Sequence, residues 1–357
     1  MAKDQDKTPS GGNKPKPANA PSGQSAKDRS RAQSRPVSGK PPAGKAAKAG
    51  GGGKGNTPRP GRVPAPQPAP RRISGAMMAW GAVGLVVIII AVLVIVRVTS
   101  STSTATASYT PVTPAPASVV QEVTNIPLAV YDKVGISSPQ IPVTPPIVLS
   151  NQPPLSLKGK SPAMLYVGAE YCPFCAAERW AMTAALSRFG AWSNLKITAS
   201  SHTDYAPETH TFSYHGATLT SPYLTFASVE ELSNVPTASG SYEPLESPTK
   251  EEAKVISTFN DPKYITGATV GQVSYPFINI GNKALISGAS YNPNVLANLT
   301  WNQIASGLSD PTNPVTQAIV TTANYITAAI CASTTGAPSS VCTSSGVEAA
   351  AKALKLG

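Results

Sequence analysis

Two cysteines separated by two residues stand where thiol–disulfide chemistry is favoured. The run MLYVGAEYCPFCAAERW places Cys172 just after a segment of strand character and Cys175 among helix formers. At a helix N-terminus, unpaired backbone N–H groups and the positive end of the helix dipole stabilise a thiolate. Pro173 falls on the first helical position, where its missing N–H costs nothing. The spacing predicts Cys172 as the nucleophile and Cys175, one turn on, as the resolving thiol.

Two other interpretations of this C-x-x-C stay open: half of a zinc site, or a structural bridge. Zinc would need a second pair of Cys or His ligands at ligand spacing, and none follows nearby. The strand-to-helix context favours the redox interpretation. The pattern calls for no metal ligand and no cofactor.

The elements around the cysteines predict an α/β domain. Residues 163–167 read as a buried strand, and 173–189 as a helix with Gly190 as its C-cap. Residues 195–199 alternate as a second strand. Two further strands, at 209–214 and 223–229, read as a hairpin-like, β-rich insertion.

The C-terminal half continues with a helix at 250–259 and a hairpin, because 276–280 and 284–287 flank a turn at Gly281-Asn282. A Pro-rich connection is predicted at 137–154. The remaining helices are predicted at 119–134 (broken near Pro127), 294–308, 315–330 and 346–354.

This order of elements resembles the thioredoxin fold, and two motifs carry the resemblance. The run AEYCPFC is similar to the A-E-W-C-x-x-C entry of thioredoxins, with a C-P-[FY]-C centre as in glutaredoxins. The run SYPFINI is similar to the segment where thioredoxin-like proteins place a cis-proline beside the redox cysteines. The resemblance implies that Pro276, after Tyr275, positions the substrate. An ordinary trans proline at a strand start is the alternative.

The chain departs from a minimal thioredoxin in two respects. The segment between Cys175 and Pro276 is long enough to require an insertion, as in larger periplasmic disulfide oxidoreductases, although here it reads as β-rich. The dipeptide between the cysteines matches neither the usual thioredoxin pair nor the periplasmic-oxidase pair, which leaves the redox potential open. The wider run GAEYCPFCAAERWAMTAALSRFG, with TSPYLTFASVEEL, resembles an uncharacterised family of prokaryotic membrane-anchored proteins with an exported thioredoxin-like domain.

The other titratable residues give weaker signals. Cys331 and Cys342 suit a local structural disulfide in an oxidising compartment, with a second redox pair as the alternative. The histidines His202, His210 and His215 could join the C-x-x-C in a metal site. However, positions 210 and 215 would face opposite sides of one strand. Three charged residues flank the cysteines and could either tune the thiolate or simply be solvated: Glu170, Glu178 and Arg179.

An apolar segment indicates where this chemistry would occur. Residues 76–96 contain no charged side chain and are long enough to cross a bilayer as one helix. A cleaved signal peptide is the competing interpretation, although the run begins far from the N-terminus and lacks a clear cleavage site. A buried helix of a soluble domain is a weaker alternative, because so uniformly apolar a run would need a large core around it. Residues 1–72 carry sixteen basic and three acidic residues, whereas 98–357 carry twelve and fifteen. Because basic residues tend to stay cytoplasmic, the C-terminal bulk is predicted to be exported.

We therefore expect a disordered basic cytoplasmic tail at 1–72, a transmembrane helix at 73–97, a Ser/Thr/Pro stalk at 98–118 and an exported thioredoxin-like domain at 119–357. The expected function is thiol–disulfide exchange, as a thiol–disulfide oxidoreductase, on exported protein thiols or with a membrane redox partner. The alternative is a non-catalytic thioredoxin-like module that binds a partner protein or a metal. The tail lacks the aromatic residues and motifs of nucleic-acid binding.

Overall fold

The computed structural model describes residues 108–356, which lie in one compact unit. The predicted tail, the transmembrane span at 76–96 and the first part of the stalk lie outside these residues. The helices in the described part are Ala117–Thr124 (α1), Leu128–Val134 (α2), Pro173–Leu186 (α3), Lys250–Phe259 (α4), Trp301–Gly307 (α5), Pro314–Ser333 (α6), Ser339–Cys342 (α7) and Ser345–Leu354 (α8), with a 3₁₀ turn at Pro293–Leu296. The strands are Thr113–Pro114 (β1), Ile147–Val148 (β2), Ala163–Gly168 (β3), Ala191–Ser193 (β4), Lys196–Ala199 (β5), His210–Ser213 (β6), Thr218–Thr220 (β7), Thr225–Glu230 (β8), Leu232–Pro236 (β9), Tyr242–Pro244 (β10), Phe277–Ile280 (β11) and Ala284–Ser287 (β12).

A five-stranded mixed sheet forms the centre, with the strand order β2-β12-β11-β3-β8. All six residues of β3 are buried, as expected for a strand covered on both faces. Strand β8 runs parallel to β3, with Gly168 opposite Glu230, whereas β11 runs antiparallel on the other side. The β11–β12 hairpin turns at Gly281-Asn282, as predicted. The carboxyl ends of β3 and β8 therefore meet at one edge.

The insertion between α3 and β8 is β-rich but is not a hairpin of the two strands that the sequence suggested. Strand β6 pairs with β5, and β8 pairs with β3 in the central sheet. Between them β7 pairs back onto β4. The alternating pattern locates strands correctly, but it cannot choose their partners, because pairing depends on which buried faces meet in three dimensions.

Several predicted boundaries change for local reasons. Helix α3 ends at Leu186, so Gly190 does not cap it. Gly190 instead packs closely against Ser221, because a Cβ on Gly190 would lie 2.9 Å from the Cβ of Ser221. The helix predicted at 294–308 is two segments, because Asn298 adopts a positive φ of 63° and Thr300 begins α5 with a capping box. The end of the predicted stalk belongs to the domain, since Thr113 pairs with Ile197.

Within residues 108–356, one helix is long and apolar enough to cross a membrane, and it is α6. Its apolar window is 83% buried inside the domain, where α6 packs against α3 and α8. Such burial is typical of a core helix. Helix α6 therefore supports α3, the helix that begins at the cysteines.

Candidate redox site

The two cysteines lie where β3 leads into α3. Cys172 is the N-cap residue of α3 and Pro173 follows at its first turn, as the sequence predicts. The backbone N–H of Cys175 donates to the Cys172 sulfur over 3.3 Å. Cys172 is 6% exposed and Cys175 is fully buried, and neither forms a disulfide. Both cysteines are thus buried, and Cys172 alone of the two keeps a small contact with solvent.

The two thiols differ in acidity. A hydrogen bond from the Cys175 side chain lowers the pKa of Cys172, and backbone N–H groups and the charge of Arg179 lower it further, against the effect of burial. Burial, followed by the interaction with Cys172, raises the pKa of Cys175 well above its usual range. The two shifts make Cys172 the more acidic thiol of the pair, with the Cys175 thiol as its hydrogen-bond donor.

A buried ion pair lies directly beneath the cysteines. Arg179 is one helical turn beyond Cys175, and its guanidinium binds the Glu230 carboxylate in bidentate fashion, at 2.9 and 2.7 Å. Its Nη2 also donates to the carbonyl of Ala169 over 2.8 Å, while Nη1 has no partner. Arg179 and Glu230 are both fully buried. A cation with two unpaired N–H groups is thus held under the redox loop, where it stabilises negative charge on either sulfur.

Gly168 makes this packing sterically feasible. A Cβ at this position would lie 2.8 Å from the Cys175 sulfur and closer still to the Tyr166 hydroxyl. That hydroxyl lies 3.4 Å from the Glu230 carboxylate. The strand therefore needs a residue without a side chain at its last position, so that thiol, phenol and ion pair can meet.

The two other charged residues near the cysteines are also buried instead of solvated. Burial raises the pKa of Glu170, which accepts a hydrogen bond from Ser213. Burial likewise raises the pKa of Glu178 to about 7, against hydrogen bonds from the backbone and hydroxyl of Ser290 at 2.8 and 3.1 Å. Glu178 thus links the redox helix to the segment that follows β12.

The predicted substrate-positioning segment borders the same site. The Tyr275–Pro276 peptide bond is cis, and Tyr275 packs against both cysteines and Ala169. The Tyr275 hydroxyl donates to the carboxylate of Glu231, whose backbone N–H donates to Gly168 over 2.8 Å. Glu230 and Glu231 are adjacent at the end of β8, so one holds the cysteine helix and the other holds the proline segment.

Two pairs of stacked aromatic rings lie beside Cys172, and the surface between them is called the opening. Tyr171 stacks on Tyr242 with ring centres 4.1 Å apart, and Phe174 stacks on Tyr205 at 5.6 Å. Phe174 is 36% exposed and Tyr205 is 56% exposed, so the second pair forms an accessible apolar surface beside Cys172.

The remaining sequence candidates lie elsewhere. Cys331 and Cys342 lie at disulfide distance, with sulfurs 1.98 Å apart. His210 contacts the Leu299 carbonyl and His215 pairs with Glu246, each at 2.7 Å. Among residues 108–356, no three His, Cys, Asp or Glu side chains are grouped so that they could hold a metal ion.

Sequence reasoning located the cysteines and the proline but not the groups that surround them. Tyr166, Glu230 and Glu231 received no role, and Arg179 was left undecided. The available signal was the pair Glu230 and Glu231 at the end of a strand, because a carboxylate that becomes buried there needs a buried cation. Only the parallel pairing of β3 with β8 brings that position to the cysteines.

Residues 146–332, just over half of the chain, match the family model described as domain of unknown function DUF929. The chain therefore belongs to this family. No curated protein and no solved structure matches the chain. Since the family description specifies no reaction, the activity has to be argued from the site.

Proposed function

We propose that this chain is a membrane-anchored, extracytoplasmic thiol–disulfide oxidoreductase of the thioredoxin-like class. The Cys172 thiolate attacks a sulfur of a client disulfide, that S–S bond breaks, and a mixed disulfide forms. Cys175 then loses its proton and attacks the Cys172 sulfur. The second client sulfur leaves, and two electrons have passed to the client. The proton released by Cys175 and one proton from solvent protonate the two client thiols. In reverse, the same steps oxidise a client dithiol.

The observation that carries the proposal is the asymmetry of the two sulfurs. Cys172 caps a helix, and its sulfur accepts a hydrogen bond from the backbone N–H of Cys175 over 3.3 Å. The pKa of Cys172 is lowered, whereas Cys175 is fully buried and its pKa is raised. An attacking thiol needs exposure and thiolate character, and a resolving thiol needs protection until the mixed disulfide forms. A zinc pair or an inert bridge requires no such difference.

The strand order supports the thioredoxin-like class. A strand, the cysteine helix, a parallel strand, a helix and an antiparallel hairpin follow one another, with β8-β3-β11-β12 adjacent in the sheet. Tyr275, which precedes Pro276, packs against the cluster of Ala169 and the two cysteines, which is where the resemblance expects the substrate-positioning segment. The β-rich insertion and the extra C-terminal helices are additions to this arrangement.

The cellular setting of the proposal comes from the sequence. The uncharged segment 76–96 and the basic excess before it favour one transmembrane helix with the C-terminal domain outside. Clients would then be exported protein thiols or a membrane redox partner. Protease added to cells whose outer surface is accessible should remove the domain and spare the tail. The opposite pattern would overturn this topology.

Trapping tests the mechanism. Cys175→Ser retains the attacking thiol and lacks the resolving one, so it should accumulate mixed disulfides with clients, visible on non-reducing gels and lost on reduction. Cys172→Ser is the matched control and should trap few or none. The reduction potential of the Cys172–Cys175 pair should lie well above about −300 mV, below which structural disulfides typically fall. Equal trapping by both variants, or a lower potential, would favour a non-catalytic module.

A further inference from the structure

One stretch of the chain contains acidic side chains without any lysine or arginine. Residues 197–249 contain six acidic side chains and neither lysine nor arginine. This stretch supplies the loop and the strands that flank Cys172. The acidic residues are Asp204, Glu208, Glu230, Glu231, Glu243 and Glu246.

The loop at 200–209 forms one side of the opening. The backbone N–H of Ser201 donates to the Tyr171 carbonyl over 2.8 Å. Tyr205 stacks on Phe174, which lies between the two cysteines in the sequence. Asp204 immediately precedes that ring. The Asp204 carboxylate accepts a hydrogen bond from the backbone N–H of Tyr205 over 2.6 Å, so it lies beside the ring that stacks on Phe174.

The strands β9 and β10 form the other side. Tyr242 of β10 stacks on Tyr171. The exposed Glu243 that follows Tyr242 lies on the opposite face of the strand, in a cleft that it shares with Lys196, so it does not contribute to the charge at the opening. Glu231 immediately precedes β9, and its carboxylate accepts a hydrogen bond from the Tyr275 hydroxyl. The nearby guanidinium of Arg179 does not offset these charges, because it is buried and paired with Glu230.

We infer that the site recognises polypeptide segments that carry lysine or arginine beside their cysteine. This inference rests on the proposed exchange reaction and specifies its substrate class. Carboxylates on both sides of the opening attract an ammonium or guanidinium group, and exposed aromatic faces bind such cations as well. A client segment with acidic flanks would meet repulsion from both sides.

Three synthetic peptides of equal length test this with the full chain. Each has one cysteine in a mixed disulfide with thionitrobenzoate, flanked by lysines, glutamines or glutamates. The reduced chain transfers two electrons, its cysteines join, and the peptide thiol and coloured thionitrobenzoate are released. Single-turnover release should be fastest for the lysine peptide, by roughly fivefold or more over the glutamate peptide at low salt, and the ratio should shrink at 0.5 M salt.

Variants locate the effect. Asp204→Asn should reduce the ratio severalfold, whereas Glu243→Gln and Glu348→Gln, which remove exposed carboxylates away from the opening, should leave it unchanged. Equal rates for the lysine and glutamate peptides, or a ratio that ignores salt, would overturn the charge inference while leaving the exchange reaction intact. Failure to react with any of the peptides would contradict the proposed function itself, and the inference with it.

Discussion

The four cysteines of this chain form two pairs at opposite ends of helices. Cys172 caps the N-terminus of α3, where the helix dipole favours a thiolate, whereas Cys331 lies in the last turn of α6, where the dipole disfavours one. The first pair lies over a buried cation, and Cys342 ends the short helix α7. The first pair is free and the second is bridged. The free pair and the bridged pair therefore differ in the helix end at which they lie as well as in their cysteine spacing.

The largest effect should come from removing the nucleophile. Cys172→Ser should lower the rate of mixed-disulfide reduction by at least about a thousandfold, because no other thiolate is presented at the opening. Replacing Cys331 and Cys342 together with Ser should leave that rate within about twofold. Comparable losses in both variants would erase the distinction between the pairs.

Breaking the buried ion pair should be the next largest change. Arg179→Met leaves the Glu230 carboxylate unpaired in the interior and should lower the free energy of unfolding by about 3–5 kcal/mol. Denaturant unfolding followed by tryptophan fluorescence measures this. The double variant Arg179→Met with Glu230→Leu should recover much of the stability. It should not restore the lowered pKa of Cys172, which alkylation rates against pH would report.

The second cysteine pair should contribute stability instead of activity. Replacing both Cys331 and Cys342 with Ser opens a loop of sequence separation 11 and should lower the free energy of unfolding by about 3 kcal/mol in the chain-entropy model. Thermal unfolding with and without a reductant checks the value. Reductant should destabilise the wild-type chain and have little effect on the variant.

The buried Glu178 should make stability depend on pH. Its pKa is raised to about 7, so between about 4.5 and 7 the folded state binds more protons than the unfolded state does. The free energy of unfolding should therefore fall as pH rises through this window and level off above it. Glu178→Gln should flatten that segment and be the more stable form at pH 8. Glu348→Gln is the exposed control, and an unchanged slope in Glu178→Gln would refute the assignment.

The smallest effect should arise at the proline segment. Tyr275→Phe removes the hydrogen bond to Glu231 and should weaken client binding by about 1 kcal/mol, or roughly fivefold in KM. The alkylation rate of Cys172 should not change, because the phenol is not among the groups that set its pKa. A changed alkylation rate with an unchanged KM would place Tyr275 in the thiol chemistry instead.

Local patterns predicted much of the fold. The strand at Ala163–Gly168, the helix at Lys250–Phe259 and the hairpin of Phe277–Ile280 with Ala284–Ser287 were located within one or two residues. Each has a strong local signal: an apolar run, a Thr249 capping box, or a tight turn. The partners of the strands in the insertion were not predictable, because several pairings satisfy the same alternation.

The sequence by itself placed one cysteine of the C-x-x-C at a helix N-terminus, since a C-x-x-C at a strand-to-helix junction does so whatever surrounds it. It also determined the apolar segment at 76–96 and the basic excess before it. The tertiary structure alone decided what lies under the cysteines. Glu230 is 58 positions after Cys172, and only the parallel pairing of β3 with β8 brings its carboxylate to Arg179. Long-range electrostatic contacts follow from strand pairing, which no local pattern encodes.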